Sequence, residues 1–152
     1  MASNRHLGRI VALQTLYEYE FRTEVGDKNL DYATILQRNL AEYKSSVDDV
    51  DFVDKLVSGV LSVQTQLDEK LKPLAPEWPI DQLSRVDRAV LRIGLYELLY
   101  CADTVPPKVV INEAVELAKA FGSDNSGKFV NGVLGTALRT LLEESDNENK
   151  QL

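Results

Sequence analysis

Residues 84–102 read SRVDRAVLRIGLYELLYCA, and the expected fold follows from how that stretch must be surrounded. Its apolar side chains occur on nearly every side of a 3.6-residue period, so a helix formed here has no broad polar face to offer water. Such a segment predicts a central helix packed among others rather than one lying on a surface. Ser84 followed by Asp87 has the spacing of an N-terminal cap. Gly94 stands in mid-helix, where glycine costs about 1 kcal/mol relative to alanine. A close helix crossing at that point would offset the cost.

Outward from this spine the same period recurs, and no segment longer than a few residues alternates strictly with period two. Leu7, Ile10, Val11, Leu13, Gln14 and Tyr17 mark a first helix that ends near TEVGDKN (23–29). Leu30 to Tyr43 supports a second, anchored by Ile35, Leu36 and Leu40. Ser46 with Asp49, and Asp48 with Asp51, offer competing caps for a third helix. Its stripe runs from Phe52 through Val53, Leu56, Val57, Val60, Leu61 and Leu67 to Leu71, and Pro73 stops it. KPLAPEWPIDQLS (72–84), with three prolines, reads as a rigid connection holding at most a short helix after Pro79. Pro106 and Pro107 force a turn, Pro107 suits the first position of the next helix, and Gly122 terminates that helix. Asn125 or Ser126 caps a last helix reaching about Leu142. The expectation is an all-α protein of six or seven helices in two packed helical subdomains, about 1–73 and 79–142 of a single domain 1–142. An acidic flexible tail, 143–152, follows.

The 44% hydrophobic and 27% charged content is that of a soluble globular chain, so wholesale disorder is not expected. One cysteine, Cys101, and one histidine, His6, exclude an internal disulfide and argue against a protein-built metal site. No run of about 18 uncharged apolar residues is present, which predicts no membrane span and a cytoplasmic protein. The chain has no glycine-rich nucleotide loop, no nucleophile with a histidine partner and no HxxxH or CxxC pairing. Glu113 and Glu116 are read as surface partners of Lys119 or Lys108. No enzymatic activity, cofactor or metal is expected.

A formal net charge of −7 opposes bulk attraction to nucleic acid, so the placement of the positive groups matters more than their sum. Arg5 and Arg9 are four apart and share one face of the first helix, with His6 beside them. Arg85, Arg88 and Arg92 form a second stripe continued by Tyr96. An arginine as deep in an apolar helix as Arg92 commonly ties bundle elements together through an acid. Lys128 and Phe129 open the last helix, where unpaired backbone amides add to the attraction for phosphate. Phe129 has two readings. It is core with Val130, Val133 and Leu134, or it stacks on an unpaired base as in single-stranded RNA recognition.

Three long motifs carry a family resemblance. RHLGRIVALQTLYEYE (5–20), LSRVDRAVLRIGLYELLY (83–100) and VPPKVVINEAVELAKAFGSDNSGKFVNGVLG (105–135) together resemble the NusB family of bacterial transcription antitermination factors, with coverage from about Arg5 to Leu142. The resemblance implies two perpendicular helical subdomains that bind the box A element of ribosomal RNA leader transcripts. It implies binding shared with NusE, the ribosomal protein uS10, in a complex with other antitermination factors on RNA polymerase, and no catalysis or cofactor. Family RNA contacts map onto Arg5, His6, Arg9, Arg88, Arg92, Lys128 and Phe129. It also brings in a homodimer through the arginine face, which would cover the RNA site until a partner opened it.

This chain departs from the family pattern where His6, Leu7 and Gly8 interrupt the usual arginine run, and where Asn125 and Gly135 stand in place of aspartates found in many relatives. With fewer fixed cations, salt dependence should be shallow, and the ribosomal protein should supply much of the affinity. Two other readings stand beside this one. The module also resembles the N-terminal domain of certain ribosomal RNA cytosine methyltransferases, which suggests a stand-alone RNA-binding module in ribosomal RNA maturation. A protein-binding helical scaffold would instead use its arginines in internal ion pairs. Exposure of the arginines, Lys128 and Phe129 on a rim favours RNA; burial of Arg88 and Phe129 with partners favours the scaffold.

Overall fold

Local sequence produces seven α-helices, and the computed structural model, which describes residues 2–43, 46–76 and 79–142, contains no strand among them. The helices are α1 (Ala2–Glu24), α2 (Tyr32–Tyr43), α3 (Val50–Ser62), α4 (Gln64–Leu71), α5 (Arg85–Tyr100), α6 (Pro107–Phe121) and α7 (Ser126–Ala137). They fall into two compact units, Met1–Ser62 and Val63–Leu152. The sequence assigned to the acidic tail lies outside the described residues.

In the first unit α1 packs on α2 and α3. Gly26, at φ +84°, closes α1: the Asp27 and Gly26 amides return to the Arg22 and Thr23 carbonyls at 3.0 and 3.1 Å, the pairing of a Schellman cap. Helix α2 begins at Tyr32 rather than Leu30, because the Asp31 carboxylate accepts from the Ala33 amide and the Thr34 hydroxyl at 3.1 and 3.2 Å. Asp49 caps α3 by accepting from the Phe52 amide at 3.0 Å, so neither pairing expected from spacing forms that cap. Val11, Ala12, Leu13 and Leu16 of α1, Ile35, Leu36 and Leu40 of α2, and Val53, Leu56, Val57 and Val60 of α3 are buried. Buried among them, Asn39 donates to the Thr15 hydroxyl at 3.1 Å, which itself donates to the Val11 carbonyl at 2.9 Å. Both polar side chains are thereby satisfied inside the core.

The long helix expected over 52–71 is two helices. Val63 leaves the helical region at φ −121° and ψ 20°, directly after Ser62 has turned its hydroxyl onto the Gly59 carbonyl at 2.8 Å. In the second unit α5 is the spine: it packs on α4, α6 and α7, and ten of its 16 residues are buried. Ser84 caps it, accepting from the Asp87 amide at 3.1 Å, as the spacing indicates. Gly94 has the expected close crossing, since a Cβ there would lie 2.6 Å from Leu134 Cδ1 and 3.5 Å from Ala114 Cβ. Pro107 starts α6. Gly122 ends it with extended backbone, and what requires glycine there is space: a Cβ would meet the Ala118 carbonyl at 2.7 Å. Asn125 occupies the cap position of α7 without using its side chain, and Ser126 instead reaches back to accept from the Ser123 amide at 2.9 Å. The helical run continues to Leu142 as a π-helical turn, Leu138–Leu142.

Two outcomes follow. Gly94→Ala gains helix propensity but must displace fully buried Leu134, and over-packing of a filled core costs about 1–3 kcal/mol. We expect a net loss of about 1 kcal/mol in urea unfolding, with Gly94→Val worse. In the first unit Arg38 and Arg22 both hydrogen-bond Glu18. Arg38 first, and Arg22 after it, hold the Glu18 carboxyl below its ordinary 4.5 against the opposing effect of burial. A depressed carboxyl stabilises the fold above its unfolded pKa and loses that contribution as pH falls through the folded one. Thermal stability should therefore drop on acidification from pH 4.5 downward, and Glu18→Gln should be less stable at neutral pH with a shallower acid limb.

Candidate functional site

Helix α1 brings Arg5 and Arg9 together over Phe52 at the start of α3, with His6 next to Arg5 in the chain. Gly8 makes the approach close, for a Cβ on it would stand 3.0 Å from Val53 Cγ2 and 3.5 Å from Phe52 Cδ1. The Phe52 ring is flanked by both guanidiniums, with Arg5 Cζ 4.7 Å and Arg9 Cζ 5.2 Å from its centroid. Their environments differ. Arg9 is 2% exposed, whereas the Arg5 side chain is 36% exposed and its Nη2 lies 3.9 Å from Asp49 Oδ2. His6 is half-buried. Of this motif Arg5 presents a cation to solvent and Arg9 backs the helix pair.

The α5 stripe turns inward. Arg92 grips Asp68 of α4 with two hydrogen bonds, Nε to Oδ1 at 2.8 Å and Nη2 to Oδ2 at 2.9 Å, a planar fork on a carboxylate. Arg88 is buried, and its Nη1 donates to the Ile80 and Asp81 carbonyls at 3.3 and 3.4 Å. It therefore holds the 3₁₀ turn Ile80–Gln82 against the start of α5. Arg85 is half-buried.

Lys128 is exposed in the first turn of α7, and Phe129 beside it is half-buried. Phe129 lines an open cavity of about 320 Å³. Gln82, Leu83, Ser84 and Asp87 form the wall from the start of α5, and Ser123, Asn125 and Ser126 form the wall from the link into α7. The cavity is large enough for a planar base, with one aromatic side chain and several hydrogen-bonding residues among its lining. Gly127 leaves room for the stem of Lys119, whose Cγ would lie 2.9 Å from a Cβ at that position. Among the described residues no group of three or more His, Cys, Asp or Glu is placed to hold a metal, and no helix is long and apolar enough to cross a membrane.

The NusB family model matches residues 6–139. The chain belongs to the NusB family. A transcription antitermination protein NusB of Chloroflexus aggregans is 46% identical over 150 residues, covering 97% of this chain and 96% of that one. T. maritima NusB superposes with a TM-score of 0.77 at 33% identity, covering 90% of this chain and 91% of its own. A chain from the crystal structure of antitermination factors NusB and NusE in complex with dsRNA shares the fold, with a TM-score of 0.75 at 24% identity over 91% of this chain and 98% of its own. The family is one of antitermination factors, not of enzymes, and this NusB-family chain takes that class.

Spacing alone did not reveal Asp49 and Phe52 as neighbours of the arginines. Phe52 reads in sequence as one more member of a buried stripe, and its position beneath Arg5 and Arg9 depends on the α1–α3 crossing. The walls of the Phe129 cavity come from two segments about 40 residues apart, a closeness only tertiary packing creates. A direct consequence can be measured for Arg92. Asp68→Ala removes the bidentate partner of a largely buried guanidinium, and urea unfolding should show a loss of about 3 kcal/mol. The double replacement Asp68→Leu with Arg92→Met should recover much of it.

Proposed function

We propose that this NusB-family protein binds box A RNA of ribosomal RNA leader transcripts together with NusE, the ribosomal protein uS10, within an antitermination complex on RNA polymerase in the cytoplasm. The observation that carries the reading is the pair at the start of α7: exposed Lys128 beside Phe129, whose ring lines an open, polar-edged cavity. A helix N-terminus with an adjacent lysine favours a phosphate, and an accessible aromatic face favours an unpaired base. Family membership supplies the biological setting, and a protein of this fold has been seen with NusE and dsRNA. Arg5 supplies a cation on α1, with His6 next to it in the chain and Arg9 buried. Arg88 and Arg92 serve the site by fixing the cavity wall and the α4–α5 pair.

Fluorescence anisotropy with box A RNA and a scrambled control, with and without NusE, tests this. Selective binding strengthened by NusE is the expected result. Phe129→Ala should cost about 1–3 kcal/mol of binding, and Lys128→Gln should flatten the salt dependence by about 0.7 in slope for a single strand. Folded protein with no selectivity in any combination would overturn the RNA reading and favour a protein-binding scaffold.

A further inference from the structure

The α1–α3 cluster contains its own anion. Asp49 has two tasks: one carboxylate oxygen accepts from the Phe52 amide to cap α3, and the other lies 3.9 Å from Arg5 Nη2. Arg5 is meanwhile seated on the Phe52 ring. Two groups thus converge on one partly exposed guanidinium: an aromatic ring 4.7 Å from its Cζ and a carboxylate oxygen 3.9 Å from its Nη2. A 3.9 Å pair with 36% and 48% exposure is held weakly, so a better acceptor can take it.

We propose that Asp49 is an intramolecular occupant of the position an RNA phosphate takes on Arg5, and that Phe52 is the positioning residue keeping the guanidinium in place during the exchange. This rests on the RNA-binding reading above. The arrangement lowers affinity for any anion by the strength of the internal pair and favours ligands that deliver a phosphate at that point. It also gives a reason for aspartate at a cap where asparagine would serve the helix equally well.

The cap makes the test clean. Asp49→Asn keeps an acceptor for the Phe52 amide and removes the charge, so the full-length protein should stay folded by circular dichroism while binding box A RNA about two- to fivefold more tightly, the range for an exposed ion pair. The same substitution in an Arg5→Ala background should change affinity far less. Asp54→Asn, an exposed position one turn further along α3, makes the same change in net charge and should leave affinity nearly unaltered. Phe52→Leu should weaken binding of the Asp49→Asn protein, and Phe52→Tyr, which retains the ring, should restore it. Equal gains from Asp49→Asn with and without Arg5, or from Asp54→Asn, would overturn the internal-anion assignment and leave a general charge effect. No gain from Asp49→Asn, in a wild-type protein that binds RNA selectively, would overturn it while leaving the RNA reading intact. Failure of the wild type to bind RNA at all would remove both.

Discussion

The seat of Leu134 on Gly94 is the constraint on which the second unit depends. A helix apolar on almost every side must be enclosed, and α5 is enclosed by α4, α6 and α7. Enclosure at this density needs at least one point where a side chain of one helix meets the backbone of another, and Gly94 provides it. From that contact both α5 and α7 can be followed towards their N-termini. About one to two turns away they present Asp87 and Phe129 to the same cavity. The crossing thus sets where the two helix starts stand, and the segments leading into them, Gln82 to Ser84 and Ser123 to Asn125, complete the cavity walls.

Charge distribution bears on the apparent conflict between a net charge of −7 and the RNA ligand proposed above. Much of the arginine content serves the fold. Arg22 and Arg38 bind Glu18, Arg92 binds Asp68, and Arg88 ties down two backbone carbonyls. Arginine suits these tasks because its planar fork can satisfy two acceptors with little loss of side-chain freedom for each bond. Of the cations nominated for the site, Arg5 and Lys128 keep solvent exposure and stand at helix positions with an aromatic neighbour, Phe52 for one and Phe129 for the other. For the proposed RNA ligand, local placement and not bulk potential is the available basis of recognition.

Elements were more legible in the sequence than contacts, and for a physical reason. Helix existence follows from local periodicity, so α1, α2, α5, α6 and α7 could be read directly, as could the Ser84 cap and the glycine crossing on α5. Where competing local hydrogen bonds decide the outcome, spacing was a poorer guide. Asp49 rather than Ser46 or Asp48 caps α3, Ser126 closes the α7 link from inside the helix, and Ser62 helps divide one apparent helix into two. The site shows the same limit. Arg5, Lys128 and Phe129 could be nominated from their positions, and the inward role of Arg92 was suggested by its apolar surroundings. The aromatic seat under Arg5 and the walls around Phe129 required distant segments to be brought together, which no period encodes.

Arg5 and Lys128 also differ in how much order they would bring to an encounter. Arg5 already lies over a ring and near a carboxylate, so on the proposed reading a phosphate there would exchange one partner for another and immobilise little. Lys128 projects from the first turn of α7, and capturing a phosphate must restrict a long side chain. A preorganised arginine with an internal competitor favours discrimination, because a poorly placed phosphate gains nothing over Asp49. An exposed lysine beside a helix N-terminus suits capture over a wider range of geometries.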